Sequence, residues 1–237
     1  MKIRVLMGIV IGLMMFNVMG KAQTPLQAGV NFIAGFPQGE FRENVNNPGG
    51  GISGNFAYQI PGTPLALGAG LGFLIYGSES RLERLSPNIP DIVVTVETTN
   101  NILIGHLLAR IQPTNRNVVA HPYLEGLIGF HYLWTETRLK GSGWDSYSEI
   151  TSTNYDDAAL SYGGGAGIMF RVYQGRKNDS NGIYSIYIDL VMHYLIGGEA
   201  TYLKQGDIRR EFNGVTYSPS KSTTDLLRVG LGVSFAF

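Results

Sequence analysis

Apolar residues fall on every second position in stretch after stretch of this chain. At its end Leu227, Val229, Leu231, Val233, Phe235 and Phe237 share one parity, while Arg228, Gly230, Gly232, Ser234 and Ala236 share the other. A period of two belongs to a β-strand, and a helix would break it within one turn. The same alternation runs through Ala28, Val30, Phe32, Ala34 and Phe36, through Ile52, Phe56, Tyr58 and Ile60, and through Leu65, Leu67, Ala69, Leu71, Phe73 and Ile75. Further alternating segments lie at 102 to 112, 122 to 137, 158 to 173, 183 to 196 and 223 to 237. The pattern therefore predicts eight strands, each of about ten residues or more, the length that crosses a bilayer at a tilt.

The connections alternate as well. PGTP at 61 to 64, PTNRNVVAHP around 113 to 122 and GRKNDSNG at 175 to 182 are short and turn-like. The connections near 37 to 50, 79 to 100, 139 to 157 and 197 to 222 are long and polar. Short turns at one end and long loops at the other are the habit of an up-and-down membrane barrel. Ten strands would result if 79 to 100 and 200 to 218 formed separate hairpins; both are read here as extensions of neighbouring strands above the membrane.

The two strand faces differ in polarity. One holds Leu124, Ile128, Phe130, Tyr132 and Trp134, then Ile186, Ile188, Leu190, Met192, Tyr194 and Ile196; the other holds Glu125, His131, Asp189 and His193. A soluble lipocalin-like barrel would turn the apolar face inward and line its ligand cavity with it. The ionisable residues favour the opposite arrangement, with lipid outside and packed polar groups inside, because an unpaired charge in an apolar cavity is costly.

Composition narrows the reading further. Only 15% of residues are charged and 32 are glycine, against about 25% charged in ordinary soluble domains. Lys2 and Arg4, the apolar run from Val5 to Phe16 and the small-x-small site Gly20-Lys21-Ala22 read as an export signal over residues 1–22, leaving 23–237 as the barrel domain. Without that segment 15 basic residues face 18 acidic ones, a net charge of −3, which offers nucleic acid nothing. There is no cysteine, hence no disulfide and no thiolate metal site.

The signal, the eight amphipathic strands, the alternating connections and the ending Val233-Ser234-Phe235-Ala236-Phe237 resemble the small outer-membrane β-barrel family of Gram-negative bacteria, similar in type to the transmembrane domain of outer-membrane protein A. The resemblance covers residues 23 to 237. It implies an all-β, eight-stranded antiparallel up-and-down transmembrane barrel, monomeric, surrounded by outer-membrane lipid. It also implies that Val233, Phe235 and Phe237 form the signal read by the barrel-assembly machinery. Aromatic rings at Tyr132, Trp134, Tyr162 and Tyr194 are expected at headgroup level, with Tyr58 and Phe237 at the opposite rim.

Eight strands enclose only what side chains can fill. The inward parity predicts a polar network of His106, Arg110, Glu125, His131, Arg171, Asp189, His193 and Arg228, with Tyr173 beside it and Gly129, Gly163, Gly165, Gly167, Gly230 and Gly232 making room. Equal distance from a turn pairs Arg110 with Glu125 and Arg171 with Asp189. A closed interior is the favoured reading and a narrow conduit the alternative.

Chemistry finds little support. Barrels of this kind include proteases and lipid A deacylases, but a serine needs a base within reach, and His106, His131 and His193 point inward while His121 lies at a turn. Asp156-Asp157 at a strand end reads as solvated rather than catalytic. GGGAG at 163 to 167 lacks the lysine and hydroxyl of a phosphate loop, and His131, His193 and Asp189 read as hydrogen-bonded packing rather than a metal site. No enzyme activity, cofactor or metal is expected; the work is structural or interactive. The long loops, with Trp144, Tyr147, Arg209 and Arg210, offer themselves to an extracellular ligand.

Overall fold

The computed structural model describes residues 25–86, 89–113, 118–141, 150–175, 183–204, 206–211 and 214–237. Strands β1 (Leu26–Pro37), β2 (Gly49–Gln59), β3 (Leu65–Ser86), β4 (Ile89–Ile111), β5 (Ala120–Gly141), β6 (Ile150–Gln174) and β7 (Ser185–Gly197) are followed by β8 (Glu199–Tyr202), β9 (Ile208–Glu211), β10 (Gly214–Tyr217), β11 (Ser220–Thr223) and β12 (Leu226–Ala236); one helix, α1 (Gly39–Asn44), lies between β1 and β2. Strands β1 to β7 and β12 close into an eight-stranded antiparallel barrel, sealed where β1 pairs β12 from Gln27–Ala236 to Pro37–Leu226. The chain is thus an up-and-down all-β barrel, as the alternation predicts. Residues 79–86 and 89–100 do prolong β3 and β4. The four short strands that follow β7 differ: they form two separate two-stranded sheets, β8 with β11 and β9 with β10, and the barrel still counts eight. Trp144, Tyr147 and the export signal at 1–22 lie outside the described residues; Arg209 and Arg210 are on β9.

The size of the barrel can be read from its register. A row of paired residues starts at Tyr132 and passes Leu103, Phe73, Ile52, Phe32, Leu231, Leu190 and Ile168. It returns to β5 at Pro122, ten residues below its start. With eight strands, a stagger of ten gives a tilt of roughly 40° and a Cα radius of roughly 8 Å from standard strand spacings. Each residue then climbs about 2.5 Å along the barrel axis, so the 11 residues of β2 rise about 27 Å, a membrane's apolar thickness. Strands β3 to β6, at 22 to 25 residues, stand about twice as tall.

The outer surface is an unbroken apolar belt. Phe32 is 78% exposed, Leu160 81%, Ile128 65% and Leu107 64%, and Leu124, Leu71, Leu190, Met192 and Leu231 continue the band on other strands. A soluble monomer does not expose a patch of that extent. The barrel turns its oily side outward and spans a membrane; the lipocalin-like alternative is overturned by that orientation.

Candidate functional site

The barrel interior begins with one row of the sheet. Arg110 pairs with Glu125, Glu125 with Gly165, Gly165 with His193 and His193 with Arg228, one residue from each of β4, β5, β6, β7 and β12. Side chains in such a row lie abreast on one face. Arg110 reaches Glu125 Oε1 through Nε at 2.8 Å and Nη2 at 2.7 Å, and donates from Nη1 to Gln27 Oε1 at 3.1 Å. Glu125 Oε2 is 2.5 Å from His193 Nε2, and Arg228 Nη2 donates to His193 Nδ1 at 2.7 Å. Since a guanidinium can only donate, His193 accepts at Nδ1 and its Nε2–H donates to the carboxylate. Glycine in the middle is what lets Glu125 and His193 meet: a Cβ at position 165 would run into the His193 ring.

A second group lies alongside. Tyr123 donates to Asp189 Oδ1 at 2.7 Å and Ser234 to Oδ2 at 3.1 Å, while the Arg110 guanidinium covers the Tyr123 ring at 4.3 Å. Gly167 leaves room for the Tyr123 ring, and Gly70 does so for His106, whose Nε2 a Cβ there would approach to 2.6 Å. The string GGGAG at 163 to 167 is therefore a packing device, its inward glycines lying beneath larger neighbours. Arg110, Asp189, His193 and Arg228 are each less than 5% exposed.

Four expectations are corrected. Arg171 does not pair with Asp189: it is half-buried opposite Tyr187, and Met169 takes the place beside Asp189. A β-bulge between Arg171 and Tyr173 breaks the register there, and it turns Tyr173 outward to 47% exposure. A bulge adds one residue to one strand and so reverses the faces beyond it. His131 also stands apart from the row, fully buried, with Nδ1 3.2 Å from the Thr224 hydroxyl. Hence His131, His193 and Asp189 are held by separate partners rather than gathered around one point. His121, expected at a turn, is buried edge-on against Tyr187 at 5.2 Å.

Above this network the inward positions become apolar, a feature the sequence reading missed. Leu74, Ile102, Ile104, Leu133, Leu195 and Leu226 are all buried in one cluster. Helix α1 closes over them: Phe41, wholly buried, meets Tyr76 and Tyr202 edge-on at 5.7 and 5.2 Å, and Tyr76 donates to Leu203 O at 3.2 Å. The signal was present in the inward parity, since Leu74 and Leu133 face opposite to Phe73 and Tyr132.

On the outside, Tyr132 stacks on Trp134 at 5.6 Å near the loop end, and Trp134 leans on Phe73 at 5.7 Å. Tyr162 and Tyr194 are exposed slightly lower, and Tyr58, Phe170 and Phe235 ring the opposite end with Phe237. Val233 is exposed on the same outward parity, and Phe237 N donates to Leu26 O at 3.0 Å, continuing the closure. Asp156 accepts from Tyr132 and Asp157 from the backbone of Ala158 and Thr201, so both carboxylates serve local structure.

No family model matches the chain, and no curated protein matches it. Among solved structures it is similar to Neisserial surface protein A, at 12% identity and a TM-score of 0.39 over 90% of this chain and 96% of that one. It is similar to Ail, the attachment invasion locus protein of Yersinia pestis, in complex with the heparin analogue sucrose octasulfate, at 12% identity and 0.34 over 91% and 98%. The N-terminal β-barrel domain of Pseudomonas aeruginosa OprF gives 12% and 0.35 over 91% and 100%.

Proposed function

We propose that this chain is a bacterial outer-membrane barrel with a closed interior, which holds no active site and works as a structural or surface-interaction protein through its loop end. The observation that carries it is the layering of the lumen. Two arginines and two carboxylates, Arg110, Arg228, Glu125 and Asp189, are buried in a hydrogen-bonded layer, and the apolar cluster under Phe41 sits over it. Buried charge has to be matched by opposite charge whatever a protein does, and a radius of roughly 8 Å leaves side chains, not water, to fill the space. An ion entering from the loop end would meet hydrocarbon first. Both features favour a plug over the conduit.

The outward Val233, Phe235 and Phe237 are assigned to recognition by the assembly machinery, and the Tyr132, Trp134, Tyr162 and Tyr194 rings to the headgroup level of the lipid. The tall walls of β3 to β6 and the small sheets of β8 to β11 then stand outside the cell, where a ligand can reach them. Single-channel recording in a planar bilayer tests the plug: the expected result is no steady conductance, and nanosiemens openings would sink it. Topology is tested separately. The chain has no cysteine, so Glu199→Cys, on an exposed strand beyond the belt, is expected to react with a membrane-impermeant maleimide on intact cells; protection from it would invert the orientation.

A further inference from the structure

At the loop end, beside α1, a cavity of about 160 Å³ opens between the first loop, the barrel wall and the segment after β8. Asn44, Asn46, Asn47, Asn100, Tyr76 and Lys204 line it, and no acid does. Four primary amides around one ammonium is a narrow chemistry. A primary amide carries a donor and an acceptor side by side, which suits a hydroxyl that must do both, whereas the ammonium has only hydrogens to give; Asn44 already donates from Nδ2 to Glu40 O at 3.2 Å, so the amides differ in what they offer. The Lys204 Nζ lies 3.5 Å from Asn44 Oδ1, and no carboxylate among the described residues stands within ion-pair distance of it.

The wall of this cavity is set rather than improvised. Asn100 is almost wholly buried, and its Oδ1 is taken by the Thr135 hydroxyl at 2.9 Å, which leaves its amide N–H groups as what it has to offer. Gly77, which also lines the cavity, sits at the β-bulge after Ile75, and a Cβ there would come within 2.7 Å of Asn100 Nδ2. Bulges of this kind re-aim side chains at rims and binding sites. Tyr76 is pinned through its hydroxyl to Leu203 O. Asn100 is thus held by the strand wall and Asn44 by α1, while Asn46 and Asn47 are exposed just beyond the helix; the two fixed amides lower the ordering cost of binding.

We infer that this cavity binds a single pyranose ring bearing a carboxylate, the hydroxyls meeting the asparagine amides and the carboxylate meeting Lys204. The inference rests on the reading that the loop end faces outward, which the maleimide experiment tests apart from binding. The volume admits one ring, so a terminal or side-branch acidic sugar is the ligand class. Such a sugar can come from the cell's own lipopolysaccharide or from a foreign polyuronate, and oligosaccharides of each kind form two arms of the test. Titration of the full-length protein in detergent micelles, followed by amide shifts of isotope-labelled asparagine, is the experiment. Methyl glucuronide is expected to bind at least tenfold more tightly than methyl glucoside, with Lys204→Gln erasing the difference and Gly77→Ala weakening both sugars. Equal binding of the two sugars, no saturable shift with either, or competition by acetate as strong as by glucuronide would overturn it. Unchanged heat-dependent gel mobility confirms that each variant remains a barrel.

Discussion

The charged inward side chains gather at and below the level of Arg228; above it leucine and isoleucine predominate. Arg110, Glu125, His193 and Asp189 occupy the first region, and Leu74, Ile102, Leu133 and Leu195 the second. Both lie on the same side of the same strands, at the same barrel radius. What separates them is the source of their stability. The charged layer holds because every carboxylate has donors and the Arg110–Glu125 pair is doubly bonded; the apolar layer holds because its buried side chains pack against one another. In lipid the outside of the barrel is already apolar, so nothing obliges the inside to be polar throughout. It has to be full, and where it is polar it has to be matched.

That contrast can be broken at its strongest point first. Glu125→Ala leaves Arg110 buried without its carboxylate and deprives His193 of its acceptor, and is expected to cost about 3 to 5 kcal/mol, read from urea unfolding in lipid vesicles. If the layer works by matching, removing both partners in Arg110→Met with Glu125→Leu costs less than Glu125→Ala alone; an equal or larger loss for the double variant would contradict matching. In the apolar layer Leu133→Ala removes packing with no charge to strand, and about 3 kcal/mol is expected, with the pair Leu133→Ala and Glu125→Ala close to additive. Strong coupling between them would mean that the two layers are one. The smallest effect belongs at the rim. Lys221 meets Glu199 at 2.7 Å with both side chains about two-thirds exposed, and Lys221→Ala is expected to leave the unfolding curve unmoved, since water already screens that pair.

How much of this was legible depends on how local each fact is. The strand at 226 to 236 could be read from its own residues, because the faces of a strand follow from the backbone's period of two. The Arg110–Glu125 pair could be read too, being set by equal distance from one short turn. Arg171 with Asp189 used the same logic and failed: the turn already sets Gln174 opposite Ser185, one residue from the expected register, and the bulge before Tyr173 adds a second, so Met169 comes opposite Asp189. The separate small sheets at 199 to 223 were missed because a long polar loop carries no period strong enough to assign four-residue strands.

The amino-acid sequence by itself settled which side chains face lipid and which face the axis, for each strand taken alone and as far as no bulge interrupts it, as one does before Tyr173. Only the closed structure decided whom the inward ones meet. Tyr123 finds Asp189 across 66 positions of sequence, Arg110 finds Gln27 across 83, and Tyr76 finds Leu203 across 127. Those meetings depend on a stagger of ten residues accumulated around eight strands and on where bulges interrupt it. A single slipped residue would send each inward group to the lipid side, so contacts across the lumen belong to the barrel as a whole.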